Sequence, residues 1–146
     1  MFLKDKLLED LKTAMKLKDV IKKNTVQMVR SAVLQVEKDQ KITLDDDGII
    51  EIIMKELKKR LNVLPEYKKS GREDLIDNLN KEIDILKTYL PKQLSENEIE
   101  AIVKDCISEF GAVTKKDIGK IMKLVMSKVK GKTDGKTVNK VVKKIL

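Results

Sequence analysis

Histidine and tryptophan are absent from this chain of 146 residues, and cysteine occurs once. Without His there is no Ser-His or Cys-His dyad and no His-ligated metal. A single Cys, Cys106, excludes an intrachain disulfide and any Cys cluster for zinc or iron–sulfur. Two Pro and six Gly are too few for a low-complexity chain, or for a sheet of many short strands joined by tight turns. No apolar run approaches the ~18 residues of a membrane span. Charges every few positions in residues 1–17 leave no apolar core for a signal peptide. Together these absences lead to the expectation of a reduced, soluble, cytoplasmic protein.

What is present points to helices. Hydrophobic residues make up 41% and charged residues 38%, with aromatics at only 3%, so the core must be built from Ile, Leu, Val, Met and Ala. Apolar residues recur at helical spacing along nearly the whole chain. Successive stripes are Leu3, Leu7, Leu8, Leu11, Ala14 and Met15, then Val26, Val29, Val33 and Val36. Asp45-Asp46-Asp47-Gly48 reads as a helix start, with acids at the positive end of the helix dipole. It precedes Ile49, Ile50, Ile53, Leu57, Leu61 and Leu64. Pro65 is expected to kink or end that helix, because its ring clashes with the preceding turn and it has no N–H to donate. Ser70-Gly71 marks a turn before Leu75, Ile76, Leu79, Ile83, Leu86 and Leu90, and Pro91 stops the run.

Three further helix starts follow. Ser95 and Glu98 form a capping box, with Leu94 stapling against Ile99. The stripe Ile99, Ile102, Val103, Cys106, Ile107 and Phe110 ends at Gly111, a left-handed stop. Thr114 is expected to cap the next helix, with Asp117 as the acidic partner and Val113 packing on Ile118. Its stripe is Ile118, Ile121, Met122 and Val125. A last helix is expected to start at Thr133 or Asp134 and to bury Val138, Val141, Val142 and Ile145. The expected fold is all-α. An N-terminal helical domain of long helices over 1–91 is followed by a small three-helix domain over 92–146.

Charge is unevenly spread. Residues 1–90 carry a net +2 and residues 91–114 a net −3, while 115–146 hold eleven Lys against two acids. At 100° per residue, Lys116, Lys120 and Lys123 fall opposite one apolar stripe, and Lys136, Lys140 and Lys143 fall opposite the other. Two lysine rows of one sign suit a polyanion. No aromatic lies in the basic segment, so base stacking is not the expected mode. Lys without Arg suits phosphates as point charges better than bidentate reading of bases. Shape and backbone recognition of a structured RNA fits these residues. No membrane partner is expected, because no amphipathic helix carries Trp or Phe on its apolar face opposite the lysine rows.

Two motifs are decoys. Gly131-Lys132-Thr133-Asp134-Gly135-Lys136-Thr137 has three residues where a P-loop has four, and follows a helix rather than a strand. Its N–H groups at a helix start are still expected to suit one phosphate. Asp45, Asp46 and Asp47 lack the calcium-loop spacing. Cys106 falls within an apolar stripe, as a buried structural thiol does. Neither a catalytic constellation nor a cofactor or metal site is expected.

Several spaced stretches carry a family resemblance. They are Gly71-Arg72-Glu73-Asp74-Leu75, Tyr89-Leu90-Pro91-Lys92-Gln93-Leu94-Ser95, and Lys128-Val129-Lys130-Gly131-Lys132-Thr133-Asp134-Gly135-Lys136 with Val138-Asn139-Lys140. Gly111-Ala112 and Asp117-Ile118-Gly119-Lys120 fit the same pattern. The chain closely resembles the YqeY-like family (GatB/YqeY domain), departing from it at Ser127, where Pro is usual, and at Pro65. The resemblance implies an all-helical protein whose C-terminal part is similar to the tail domain of GatB, the tRNA-handling subunit of aspartyl/glutamyl-tRNA amidotransferase. It implies a tRNA-binding or tRNA-amidotransferase-related accessory module without catalysis of its own. Its partners would be tRNA and a protein of tRNA processing or aminoacylation. The expected phosphate contacts are Lys116, Lys120, Lys123, Lys128, Lys130, Lys132, Lys136, Lys140 and Lys143, with Gly131 and Gly135 letting the loop approach the RNA backbone. The rival reading is a protein-interaction adaptor that uses the N-terminal long helices. Carbon–nitrogen ligase activity with glutamine as nitrogen donor, the family's label, ranks last.

Overall fold

The computed structural model describes residues 2–111 and 114–146. Among these the chain is all-helical, without a strand. Seven α-helices follow in order: α1 (Leu3–Lys16), α2 (Val20–Gln40), α3 (Asp46–Ser70), α4 (Glu73–Lys87), α5 (Glu96–Phe110), α6 (Ile118–Lys128) and α7 (Gly135–Ile145), with a 3-10 turn at Lys115–Asp117. They fall into two compact units, Met1–Leu90 and Pro91–Leu146.

In the first unit each helix contributes residues three or four apart to one cluster. Leu3, Leu7 and Leu11 meet Val26, Val29 and Val33, then Ile49, Ile53 and Leu57, then Leu79, Ile83 and Leu86. Asp45 caps α3 by accepting from the Gly48 N–H at 2.9 Å. The next acid, Asp46, accepts from the Leu3 N–H at 2.9 Å and so ties the start of α1 to the start of α3. Glu37 on α2 accepts from Lys4 Nζ at 2.7 Å and from the Leu44 N–H at 2.8 Å. These two hydrogen bonds, with Lys4 close by, hold its carboxyl below the ordinary range. Tyr89, buried after α4, donates its hydroxyl to Asp10 of α1 at 2.5 Å. Burial, then the neighbouring carboxylate, raises its phenol above the usual value.

Of the two outcomes expected at Pro65, the helix does not end there: α3 continues to Ser70 and stops at Gly71, whose φ is +70°. The missing N–H forfeits one helical bond. Val63 and Leu64 before it and Tyr67 after it pack against the core, and that packing carries the helix through. Three stripe positions are exposed instead of buried, namely Met15, Leu61 and Phe110.

The second unit packs α5, α6 and α7 around Ile99, Val103, Cys106, Ile121, Val125, Val129, Val138, Val141 and Val142. Ser95 caps α5, accepting from the Glu98 N–H at 3.2 Å, and Leu94 packs on the same cluster. Gly111 ends α5 with φ +79°. Thr114 differs from its expected role. It opens the 3-10 turn through its carbonyl, which accepts from the Asp117 N–H at 3.1 Å, and its side chain caps no backbone N–H. Val113 and Ala112 lie outside the described residues.

Candidate nucleic-acid interface

The basic loop between α6 and α7 is built on its backbone. The Lys132 N–H donates to the Val129 carbonyl at 2.8 Å, closing a tight turn around Gly131 at φ +77°. An L side chain at that φ is strained, so glycine suits the position. The residues just ahead of α5 hold this turn from inside. Gln93 Nε2 donates to the Gly131 carbonyl at 2.8 Å and to the Pro91 carbonyl at 3.0 Å. The Leu94 N–H donates to the Lys132 carbonyl at 2.9 Å. Val129 and Gly131 are thereby buried, and Lys130 and Lys132 are exposed on either side of the glycine.

The expected site residues divide into groups. Lys136, Lys140 and Lys143, at i, i+4 and i+7 of α7, line one open groove of about 620 Å³ with Thr137, Asn139, Val141 and Glu96. The Asn139 Oδ1 is buried with no hydrogen-bond partner among the described residues. Lys120 and Lys128 of α6 are engaged at the far end of α5. Lys120 Nζ lies 5.7 Å from the centroid of the Phe110 ring, and Lys128 donates to Glu109 at 2.9 Å. That hydrogen bond raises the Lys128 ammonium above its ordinary value. Lys123 is exposed on α6, and Lys116 is exposed in the 3-10 turn rather than on α6.

The glycines sit differently from the lysines. Gly131 is buried with its carbonyl turned to Gln93. Gly135 opens α7, where an added Cβ would meet only Met126 Cε at 4.0 Å, an ordinary contact. Asp134 caps α7 by accepting from the Thr137 N–H at 2.8 Å. One N–H group of the helix start is therefore already in use, by a carboxylate.

Two features escaped the sequence. The Gln93 clasp joins residues 38 positions apart, and only the family-like Leu-Pro-Lys-Gln stretch hinted at it. The acids of α5 also lie beside the lysines. Lys144 pairs with Glu100 at 3.2 Å, Lys128 with Glu109, and Glu96 lines the α7 groove. Counting charge by segment separated groups that the fold brings together. Elsewhere, Cys106 is fully buried, and its burial pushes the thiol up. Among the described residues no cluster of carboxylates and thiols could hold a metal.

Residues 4–146 match the family model described as Yqey-like protein. The chain belongs to the YqeY-like family. Relatives of this YqeY-like chain include proteins named "Altered inheritance of mitochondria protein 41, mitochondrial" in three fungi. The one in Pyrenophora tritici-repentis is 29% identical over 84% of this chain and 68% of its own length. In Vanderwaltozyma polyspora the figures are 31%, 77% and 64%, and in Lachancea thermotolerans 34%, 70% and 57%. The YqeY-like chain thus spans between just over half and about two thirds of these relatives. Their names correct the expected cytoplasmic location, since they are those of mitochondrial proteins. A lone thiol suits any reducing compartment and does not separate the cytoplasm from another.

Proposed function

We propose that this YqeY-like chain is a non-catalytic accessory module that binds structured RNA, tRNA in the first place, through phosphates. In this reading residues 92–146 act as a three-helix domain of the GatB-tail type, and residues 1–91 form a separate domain of long helices. The observation that carries it is the α7 groove, where Lys136, Lys140 and Lys143 stand on one open face. Lys130 and Lys132 add charge from the clasped loop, and Lys116 and Lys123 from the α6 side. Lysines without arginine neutralise phosphates and position a backbone without reading bases.

The test is tRNA binding by fluorescence anisotropy between about 50 and 200 mM salt, a range over which phosphate-led affinity falls steeply. Replacing Lys136, Lys140 and Lys143 by Ala should weaken binding about equally for different RNA sequences. It should lower the salt slope by about one per lost contact. Unchanged affinity and slope would overturn the assignment of the groove. A pull-down that recovers a protein complex insensitive to nuclease would favour the adaptor reading instead.

A further inference from the structure

The turn joining α1 to α2 displays apolar residues without a partner. Met15, Leu17 and Val20 are 57%, 74% and 61% exposed, within an unbroken exposed run from Met15 to Val20. Scattered exposed apolar residues need no explanation, but three within six residues at one interhelical turn form a patch. Lysines surround it. Lys12, Lys16, Lys18, Lys22 and Lys23 lie within two helical turns, and none is ion-paired among the described residues. Asp19, the one acid in this stretch, is occupied in capping α2, accepting from the Lys22 N–H at 3.2 Å. A notch of about 360 Å³ between the helices is walled by Ala14, Met15 and Val20 and flanked by Lys18 and Lys23.

We infer that this turn docks on an anionic lipid surface, with Leu17 and Val20 entering the acyl boundary and the lysines facing phosphate headgroups. A notch with apolar walls and two ammonium groups at its edge matches a molecule that is anionic beside its hydrocarbon. Three apolar side chains are far fewer than the roughly 20–30 residues a side of a stable protein interface. Bilayer binding, by contrast, accumulates from each buried apolar group and each nearby lysine. This departs from the expectation of no membrane partner, which rested on the lack of Trp or Phe opposite the C-terminal lysine rows; the α1–α2 turn presents apolar residues of its own.

The chain has no Trp, so Leu17→Trp supplies a single indole at the tip, excited to the red of the two tyrosines. Its emission should shift to the blue with vesicles of phosphatidylcholine containing about a quarter phosphatidylglycerol, and stay unshifted with phosphatidylcholine alone. In sedimentation with the anionic vesicles, the double variant Leu17→Ser/Val20→Ser should bind at least tenfold more weakly than the parent while keeping its circular dichroism. The variant lacking Lys136, Lys140 and Lys143 should keep most of its binding. The inference is overturned if the parent does not bind the anionic vesicles. It is equally overturned if the double variant binds them as the parent does, because the C-terminal lysines then hold the lipid. A molecular mass that doubles with concentration and reverts in the double variant would identify a second copy as the occupant, and would also overturn it.

Discussion

Lys18 holds a conformation that glycine adopts at less cost. Its φ is +58°, and around it α1 closes through two reverse bonds, Lys18 N–H to the Met15 carbonyl and Asp19 N–H to the Ala14 carbonyl. This is the pairing of a Schellman stop, in which glycine is usual. An L residue there loses roughly 1–2 kcal/mol, partly offset by the greater freedom of glycine in the unfolded chain. Lys18→Gly is therefore expected to stabilise the protein by up to about 1 kcal/mol, read as a rise in Tm. Cys106 shows the opposite situation, a reactive group kept from reacting. Fully buried and held as a thiol, it should resist iodoacetamide in the native protein and alkylate readily in denaturant. Fast native labelling would mean that the α5–α7 core opens.

Between elements, short polar links fix what the apolar stripes leave free. Glu37 joins α1, α2 and the approach to α3 through Lys4 and the Leu44 amide. Its folded value lies below the ordinary carboxylate value of about 4.5, so its contribution is complete above that pH and lost as pH falls through the lower folded value. The Tm difference between the parent and Glu37→Gln should hold steady from pH 7 to about 5 and close on acidification. A gap that stays constant down to pH 2 would assign Glu37 no such part. Gln93→Ala removes the clasp on the Gly131 carbonyl and should leave helix content unchanged while loosening the loop. The expected readout is faster hydrogen exchange at Lys130 and Lys132 and weaker RNA binding.

Caps of this kind explain what was legible in the sequence. Asp45, Ser95 and Asp134, and the stops at Gly71 and Gly111, act within three or four residues, so the local chain states them fully. The end that Pro65 suggested for α3 does not occur, because the packing of Tyr67 beyond it is a tertiary matter. Met15, Leu61 and Phe110 kept helical spacing, yet the outcome at each depended on whether a neighbouring helix reached it. The site was legible as lysines and illegible as geometry. Spacing along α7 aligned Lys136, Lys140 and Lys143, but no local pattern could set Glu109 beside Lys128 or Gln93 under Gly131.

At the scale of the whole molecule, each compact unit has its own apolar cluster. Val141 is buried in the second, and Val141→Asp would place an unpaired charge there at a cost of about 4 kcal/mol or more. Limited proteolysis should then degrade Pro91–Leu146 and leave Met1–Leu90 as a resistant fragment. Loss of both together would show that the clusters fold as one. The two tyrosines bear on how such melting is seen. Tyr67 and Tyr89 both belong to the first unit, and the chain has no Trp. Excited at its phenol band, the protein emits only from Met1–Leu90. The Tyr89 hydroxyl bonded to Asp10 should keep its share of that emission quenched until the α1–α4 core opens. Fluorescence therefore watches one unit and circular dichroism both, and two transitions that fail to coincide would here report two units rather than an intermediate.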